Sequence, residues 1–360
     1  EPPPCASFGE CGGCQWQGVP YEQQVNWKQK FITDALTRLG GQKELPQLTF
    51  FPAPNSWEYR ERIRVQLIVV PGGHKTLGFF RSGTHQVMAI PRCEIAAPPL
   101  NRLLCRLNQL QFDPKEDYHC AMEWQVCQSG QEATAATILL SDPVSEASLQ
   151  SLVKQLKGFG VSHVRVMSQP AASYYCYDHQ FGVDYYTAPG VFQQVNHGAN
   201  RQVRQTVREV LQRFDFAALL DLYCGSGNLS LGLGSDVVNV VGVEASAAAI
   251  ACANHSVAAN QLSGHRYRAG DAGELLREEL RQKRFQVVLA DPPRAGMSDC
   301  VPALLHSGVD HILYLSCDPA TMARDVKRLC GGAYTLKQVW GFDFFPQTYH
   351  VETLVWLQRQ

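Results

Sequence analysis

From residue 218 onward, short aliphatic runs alternate with helix-length segments, and this rhythm constrains the fold more than any other feature of the chain. The runs at 218–222, 286–289 and 311–315 are dominated by Leu, Val and Ile, as strands buried on both faces must be. Further strands are expected at 237–243 and 266–269, with two more near 335–340 and 352–357. Parallel strands need long crossovers, usually helices, so the pattern predicts a mostly parallel, doubly wound α/β sheet. A helix over 199–214 precedes it.

The first half reads differently. Residues 1–18 are rich in Cys, Gly and Pro and lack periodicity, as a ligand-held loop would. A helix is expected over 21–39, stopped by Gly40-Gly41. Residues 57–70 alternate, with Arg60, Arg62 and Arg64 against Ile63, Val65 and Leu67, which predicts a half-exposed strand. A turn at Gly72-Gly73 leads to strands at 77–81 and 86–90. Residues 120–140 and 161–186 continue the β character around a helix at 145–156. Three domains follow: 1–49 as a loop and linking helix, 50–186 as an α+β domain with an antiparallel sheet, and 187–360 as the doubly wound domain.

Apolar residues make up 45% of the 360 and charged residues 18%, the balance of a globular protein. No apolar run approaches the roughly 20 residues that span a bilayer, so no membrane association is expected. The thirteen cysteines are spread over a long chain, which points to a reducing, cytoplasmic setting rather than a disulfide scaffold. A monomer is expected. A net charge of −1 neither demands nor excludes a polyanionic partner. Basic clusters occur at 59–64, 201–213 and 266–284; each by itself reads as a solvated face.

The run 218–222 enters Tyr223-Cys224-Gly225-Ser226-Gly227-Asn228, and the next strand ends at Glu244. Glycines admit close approach to a ligand, and an acidic residue about 20 positions on can accept from ribose hydroxyls. A nicotinamide or S-adenosylmethionine site fits. Gly-Ser-Gly-Asn is an incomplete pyrophosphate cradle, which disfavours the nicotinamide. The run 287–290 ends in Asp291-Pro292-Pro293-Arg294, which resembles the substrate-side strand end of S-adenosylmethionine-dependent methyltransferases. Enzymes of that class acting on exocyclic amines carry an aromatic after the prolines; here Arg294 follows.

The strand at 311–315 delivers Cys317 at its end, where an open α/β sheet keeps its chemistry. A thiolate there can attack soft carbon, although most free cysteines are merely buried. Uracil C5 cannot take a methyl group unaided. A thiolate adding to C6 makes C5 nucleophilic, and a base must then remove the C5 proton. His350 and Glu352 are both candidates for that base.

Four motifs occur in order: Asp221-Leu222-Tyr223-Cys224-Gly225, Asp291-Pro292-Pro293-Arg294, residues 314–321 around Cys317, and residues 345–352 ending in His350-Val351-Glu352. The chain therefore resembles the RNA uridine-C5 methyltransferases, which form 5-methyluridine. The resemblance implies a Rossmann-like, S-adenosylmethionine-dependent catalytic domain, with Cys317 as nucleophile and Glu352 as base. It also implies that Gln194, Tyr223, Gly225, Asn228, Glu244 and Asp291 line the cofactor site, with Asp271 near the adenine. Phe192, in Pro189-Gly190-Val191-Phe192-Gln193-Gln194, and Arg294 would face the target base. The family often has Asn where Asp318 stands, which alters a neighbour of the nucleophile but not the assignment.

Cys5, Cys11 and Cys14, with the distant Cys93, supply four thiolates that suit zinc or an iron–sulfur cluster. The resemblance implies a 4Fe–4S cluster on these four. Several family members carry a further N-terminal RNA-binding barrel, which is missing ahead of Cys5; either it was trimmed or the chain is of a compact type. RNA contacts would then fall to Arg60, Arg62, Arg64, Arg81 and His85. The resemblance points to 23S rRNA as the RNA, with tRNA the alternative. Two other readings are an RNA-binding module that retains a methyltransferase shell and a nicotinamide oxidoreductase with an iron–sulfur relay.

Overall fold

A computed structural model describes residues 2–70, 74–113, 118–128, 132–141, 144–167 and 174–360. The turn expected at Gly72-Gly73 lies outside them. In chain order, helix α1 (Tyr21–Asp34) passes into a π-helical turn at Ala35–Leu39 and is followed by β1 (Leu48–Phe51). Next come β2 (Arg62–Val70), β3 (His74–Phe80), β4 (Val87–Ala89) and α2 (Pro98–Leu107). β5 (Tyr118–Gln128), β6 (Glu132–Leu140), α3 (Glu146–Gly158) and β7 (Val161–Val166) follow. β8 (Tyr175–Gln180), β9 (Val183–Thr187) and α4 (His197–Leu211) lead into the second half. There β10 (Ala218–Leu222), β11 (Asn239–Glu244), α5 (Ala247–Ala259), β12 (His265–Ala269), α6 (Ala272–Gln282) and β13 (Val287–Ala290) alternate. α7 (Val301–His306), β14 (His311–Ser316), α8 (Pro319–Cys330), β15 (Tyr334–Phe342) and β16 (Glu352–Arg359) complete the chain. Among the described residues no helix is long and apolar enough to cross a membrane.

The chain forms two compact units, and their boundaries correct the three-domain reading. Residues 1–20, 55–179 and 187–197 make one; residues 21–54, 180–186 and 198–360 make the other. Hydrogen bonding explains the reassignment of 21–54: β1 pairs in parallel with β15, from Leu48 opposite Val339 to Phe51 opposite Phe342. Composition along the chain carries no sign of a pairing between positions so far apart.

The first unit is built on a six-stranded sheet, β4-β3-β2-β5-β6-β7, antiparallel except between β6 and β7. The expected alternation holds in β2, where Ile63, Val65, Leu67 and Val69 are buried and Arg64 is exposed. The sequence reading has no element at α2. Its signals are Pro98 and Pro99 in the first turn and Leu100, Leu103, Leu104 and Leu107 at helical spacing, all four buried in the sheet's core with Met122 and Trp124.

The second unit carries the eight-stranded sheet β1-β15-β16-β14-β13-β10-β11-β12. All its pairings are parallel except those of β16, which runs against both β14 and β15. The strands β10, β13 and β14 are buried along their whole length. Successive residues face opposite ways: Leu220, Val288 and Ile312 join one core with Ile32, Met322 and Val326, while Leu219, Val287 and Leu313 join another with Val203 and Val207. Strand order reverses between β10 and β13, so their carboxyl ends open a crevice suited to a ligand.

Candidate active site

The cofactor loop leaves β10 through a chain of left-handed residues: Tyr223 (φ 60°), Gly225 (φ 54°) and Gly227 (φ 86°). A Cβ at Gly227 would stand 3.0 Å from the Tyr267 hydroxyl, and one at Gly242 would run into the Tyr267 ring. At Gly225, by contrast, a Cβ would meet nothing within 4 Å, which leaves the backbone open to a ligand. Glu244, at the end of β11, accepts from Gly225 N at 3.3 Å and Ser246 N at 2.8 Å. The carboxylate thus ties the loop to the neighbouring strand.

Asn228 is a departure from expectation. Its amide oxygen accepts from Asn200 Nδ2 at 2.8 Å and Arg204 Nη2 at 2.9 Å, and its Nδ2 donates to Asn200 Oδ1 at 2.9 Å. The side chain is therefore committed to α4. Asp271 caps α6 by accepting from Glu274 N at 2.9 Å. The Tyr223 hydroxyl lies 3.5 Å from Cys300 Sγ.

Three carboxylates crowd the strand ends. Burial pushes Asp221 up to about 7; the Ser230 hydroxyl opposes this, while Asp291 and Glu244 add to it. Burial and the neighbouring Glu244 likewise push Asp291 up to about 7. Like charges gathered in a low-dielectric crevice favour a cation there. A sulfonium cofactor fits this donor set better than an anionic pyrophosphate.

Cys317 stands between the end of β14 and α8. Asp318 Oδ1 caps α8, accepting from Ala320 N at 2.9 Å and Thr321 N at 3.0 Å. Ser316 Oγ accepts from Asp318 N at 3.1 Å, so both neighbours of the thiol are held. β16 brings the carboxylate. Ser316 lies opposite Thr353 across the antiparallel pair, which sets Glu352 next to Cys317. Glu352 is only 4% exposed. Burial raises its pKa well above the usual carboxylate range; Asp291 adds to the rise and Arg294 opposes it. Burial also pushes the Cys317 thiol up to about 11; Glu352 and Asp291 add to the rise, and Arg294 and the backbone N–H of Cys317 oppose it. In the resting protein the Cys317 thiol is therefore mainly neutral at pH 7.

Cys317 opens onto a cavity of about 400 Å³ whose walls include Phe31, Ala35, Arg294, Tyr349 and His350. The wall from α1 was not legible in the sequence. Gln24, Lys28 and Ile32 form the buried stripe of this helix. Lys28 Nζ lies 2.6 Å from Asp343 Oδ1 and 3.0 Å from the Phe345 carbonyl, and Tyr21 donates to Asp343 at 2.9 Å. Gln24 donates to Gln347 Oε1 at 3.0 Å and accepts from Gln347 N at 2.9 Å. Lys28 and Asp343 are fully buried, a pairing whose rupture costs about 3–5 kcal/mol. The network fixes the segment that leads to Glu352. Its sequence signal is a Lys at i+4 from Gln24 and i−4 from Ile32, on the apolar stripe of a helix.

The remaining expected residues belong to the first unit. Phe192 is 66% exposed, with the Arg62 guanidinium 5.2 Å from its ring centroid; Gln194 is half-buried. Arg62 is paired with Glu123 at 2.7 Å, and Arg81 with Glu10. Cys5, Cys11, Cys14 and Cys93 all line one cavity of about 510 Å³, together with Arg60, Arg64, Arg81 and His85. The arginines of this group thus share a cavity with the four thiols. Burial pushes Cys14 up to about 11; Gln17 opposes this, and the thiols of Cys93, Cys11 and Cys5 add to it. Among the described residues no three His, Cys, Asp or Glu side chains are grouped to hold a metal ion.

Part of the basic cluster at 201–213 is not a solvated face. Arg204 is buried, stacked 3.8 Å from the centroid of Tyr185, and Arg208 lies over Phe181 and donates to the Gly232 carbonyl at 2.8 Å. Arg266 binds Glu279 at 2.7 Å, and Arg268 binds both Glu279 and Glu278.

A protein-family profile described as tRNA (Uracil-5-)-methyltransferase matches residues 177–360. Over 99% of its length the chain is 32% identical to an uncharacterized RNA methyltransferase of Thermosynechococcus vestitus, covering 84% of that protein. It is 31% identical over 98% of its length to the 23S rRNA (uracil(1939)-C(5))-methyltransferase RlmD of Pseudomonas fluorescens, covering 79% of it. The fold is similar to that of the Pyrococcus abyssi tRNA (uracil-54, C5)-methyltransferase solved with S-adenosyl-L-homocysteine. The TM-score is 0.74 at 23% identity, over 97% of this chain and 86% of that one.

Proposed function

The chain belongs to the RNA uracil-C5 methyltransferases, and on that premise we propose that it methylates a uridine of 23S rRNA, with Cys317 as nucleophile and Glu352 as base. The transfer of a methyl group from S-adenosylmethionine to C5 of an RNA uridine is the family's reaction. The observation that carries the residue roles is the β14–β16 register, which sets Glu352 beside the thiol at the strand end.

Asp291, Glu244, Tyr223 and the open Gly225 backbone would hold the cofactor; when bound, it supplies an electrophilic methyl group. Cys317, once ionised, forms a bond to uracil C6, and the C5–C6 π electrons move toward C5 and O4. Arg294 lies close enough to lower the pKa of both Cys317 and Glu352. It favours the thiolate before addition and the carboxylate before proton removal. After C5 carries the methyl group, ionised Glu352 takes the C5 proton, the C5–C6 double bond re-forms, and the thiolate leaves.

The choice of RNA rests on the similarity to the 23S rRNA methyltransferase of Pseudomonas fluorescens. Incubation with labelled cofactor should label a 23S rRNA transcript and leave tRNA transcripts blank. Label in tRNA alone would reassign the substrate, and label in neither would remove the activity.

For the cysteine cavity we favour a 4Fe–4S cluster held by Cys5, Cys11, Cys14 and Cys93. What supports this reading is that the four thiols line one cavity together with Arg60, Arg64 and Arg81, whose positive charge suits a cluster of net negative charge. Protein purified without oxygen should be brown, with iron and sulfide in equal amounts, and Cys14→Ser should lose both. A colourless protein with stoichiometric zinc would overturn the assignment.

A further inference from the structure

We propose that Phe31 on α1 and Tyr349 on the segment before β16 form a second nucleobase subsite, which stacks the RNA bases flanking the target uridine. The inference rests on the uridine-C5 reading above and extends it to residues that reading does not use.

Both rings line the same cavity as Cys317, and both are exposed, Phe31 by 41% and Tyr349 by 51%. Their exposure is not that of loose ends. On α1 the buried stripe Gln24, Lys28 and Ile32 anchors the helix, while Trp27 and Phe31 are exposed. The Lys28–Asp343 pair and the reciprocal Gln24–Gln347 bonds hold helix and segment to one another. At Ala35 the helix changes to π-helical winding, an irregularity that is frequent at functional sites. Tyr349 is flanked by His350, with ring centroids 4.3 Å apart, so its ring is supported from one side.

The chemistry supplies the need. A uridine reaches Cys317 only when lifted from its stack, and its neighbours then lose their own stacking partners. Exposed aromatic rings restore that stacking whatever the base, and single-stranded RNA is commonly held this way. Arg294, exposed on the same cavity wall, offers a cation to the backbone phosphates. The carboxylate of Asp318, also on the wall, already accepts two backbone N–H bonds of α8. Two exposed rings beside one cation suit a strand that carries both flat bases and phosphates, and so favour a nucleic acid over an apolar peptide.

The test uses the full chain and an rRNA fragment with 2-aminopurine beside the target uridine. Stacking in the wild-type complex should quench its fluorescence. Phe31→Leu keeps the apolar bulk but removes the π face; it should lose the quenching and raise KM for the fragment about tenfold, with kcat within about twofold. Phe31→Tyr should restore both. Tyr349→Ala should act alike and, on an exposed position, decides the matter should Phe31→Leu fail to bind S-adenosylmethionine. Quenching and KM at wild-type values in Phe31→Leu and Tyr349→Ala would overturn the subsite while leaving the methyltransferase reading intact. A wild type that binds the fragment with quenching but never methylates it would keep the subsite and remove the reading.

Discussion

Cys317→Ala should abolish methylation, lowering kcat/KM on the order of 10⁴-fold or more, because nothing else at the end of β14 can open the C5–C6 bond. With RNA carrying 5-fluorouridine, the wild type should accumulate a covalent protein–RNA adduct that survives denaturation, since fluorine cannot leave C5 as a proton does. The variant should form none. A pH series sharpens the prediction. The thiol is pushed up to about 11, above the working pH. Roughly one thiol in 10⁴ is then ionised at pH 7 in the resting protein, and the thiolate fraction rises about tenfold per pH unit below the pKa. Adduct formation should climb with pH between 7 and 9. A flat profile would mean that the proton leaves in concert with addition, and an adduct on Cys317→Ala would remove the nucleophile assignment altogether.

Glu352→Gln separates the two halves of the reaction. Addition and methyl transfer do not need the carboxylate, but elimination does. The variant should form the adduct with ordinary uridine and release it slowly, with turnover down by about 10²–10⁴-fold, the usual size of a general-base contribution. Gel-resolved decay of the adduct measures this directly. Normal release from Glu352→Gln, with slow release from His350→Ala, would transfer the role to His350. Stability offers a second readout. The folded-state pKa of Glu352 is raised, so the native state holds a proton that the unfolded chain gives up near pH 4.3. That contribution is fully present below the unfolded value and is lost as pH rises toward the folded one. The wild type should therefore lose thermal stability relative to Glu352→Gln as pH increases from 5, and parallel curves would contradict the raised pKa of Glu352 in the folded state.

Much of the catalytic unit is legible because parallel strands leave a strong local signal. β10, β13 and β14 are short aliphatic runs, and each is followed directly by a chemically distinctive residue: Tyr223, Asp291 or Cys317. The leucines of α2 carry helical spacing, but ten residues hold fewer than three turns, a weak signal between strand-like runs. At Asn228 the place in the loop suggests a ligand contact, and α4 adds Asn200 and Arg204, which bond its amide. Sequence distance hides such partners.

The sequence by itself determined the doubly wound sheet, the candidate nucleophile and the candidate carboxylate, since these rest on periodicity and on motifs read within a few residues. Only the tertiary structure decided that α1 and β1 belong to the catalytic unit, that Lys28 braces the segment before Glu352, and that Phe31 and Tyr349 share a cavity with Cys317. The physical reason is that strand pairing and buried ion pairs join residues some 300 positions apart. A linear pattern records which face a residue prefers, but not which distant face will cover it.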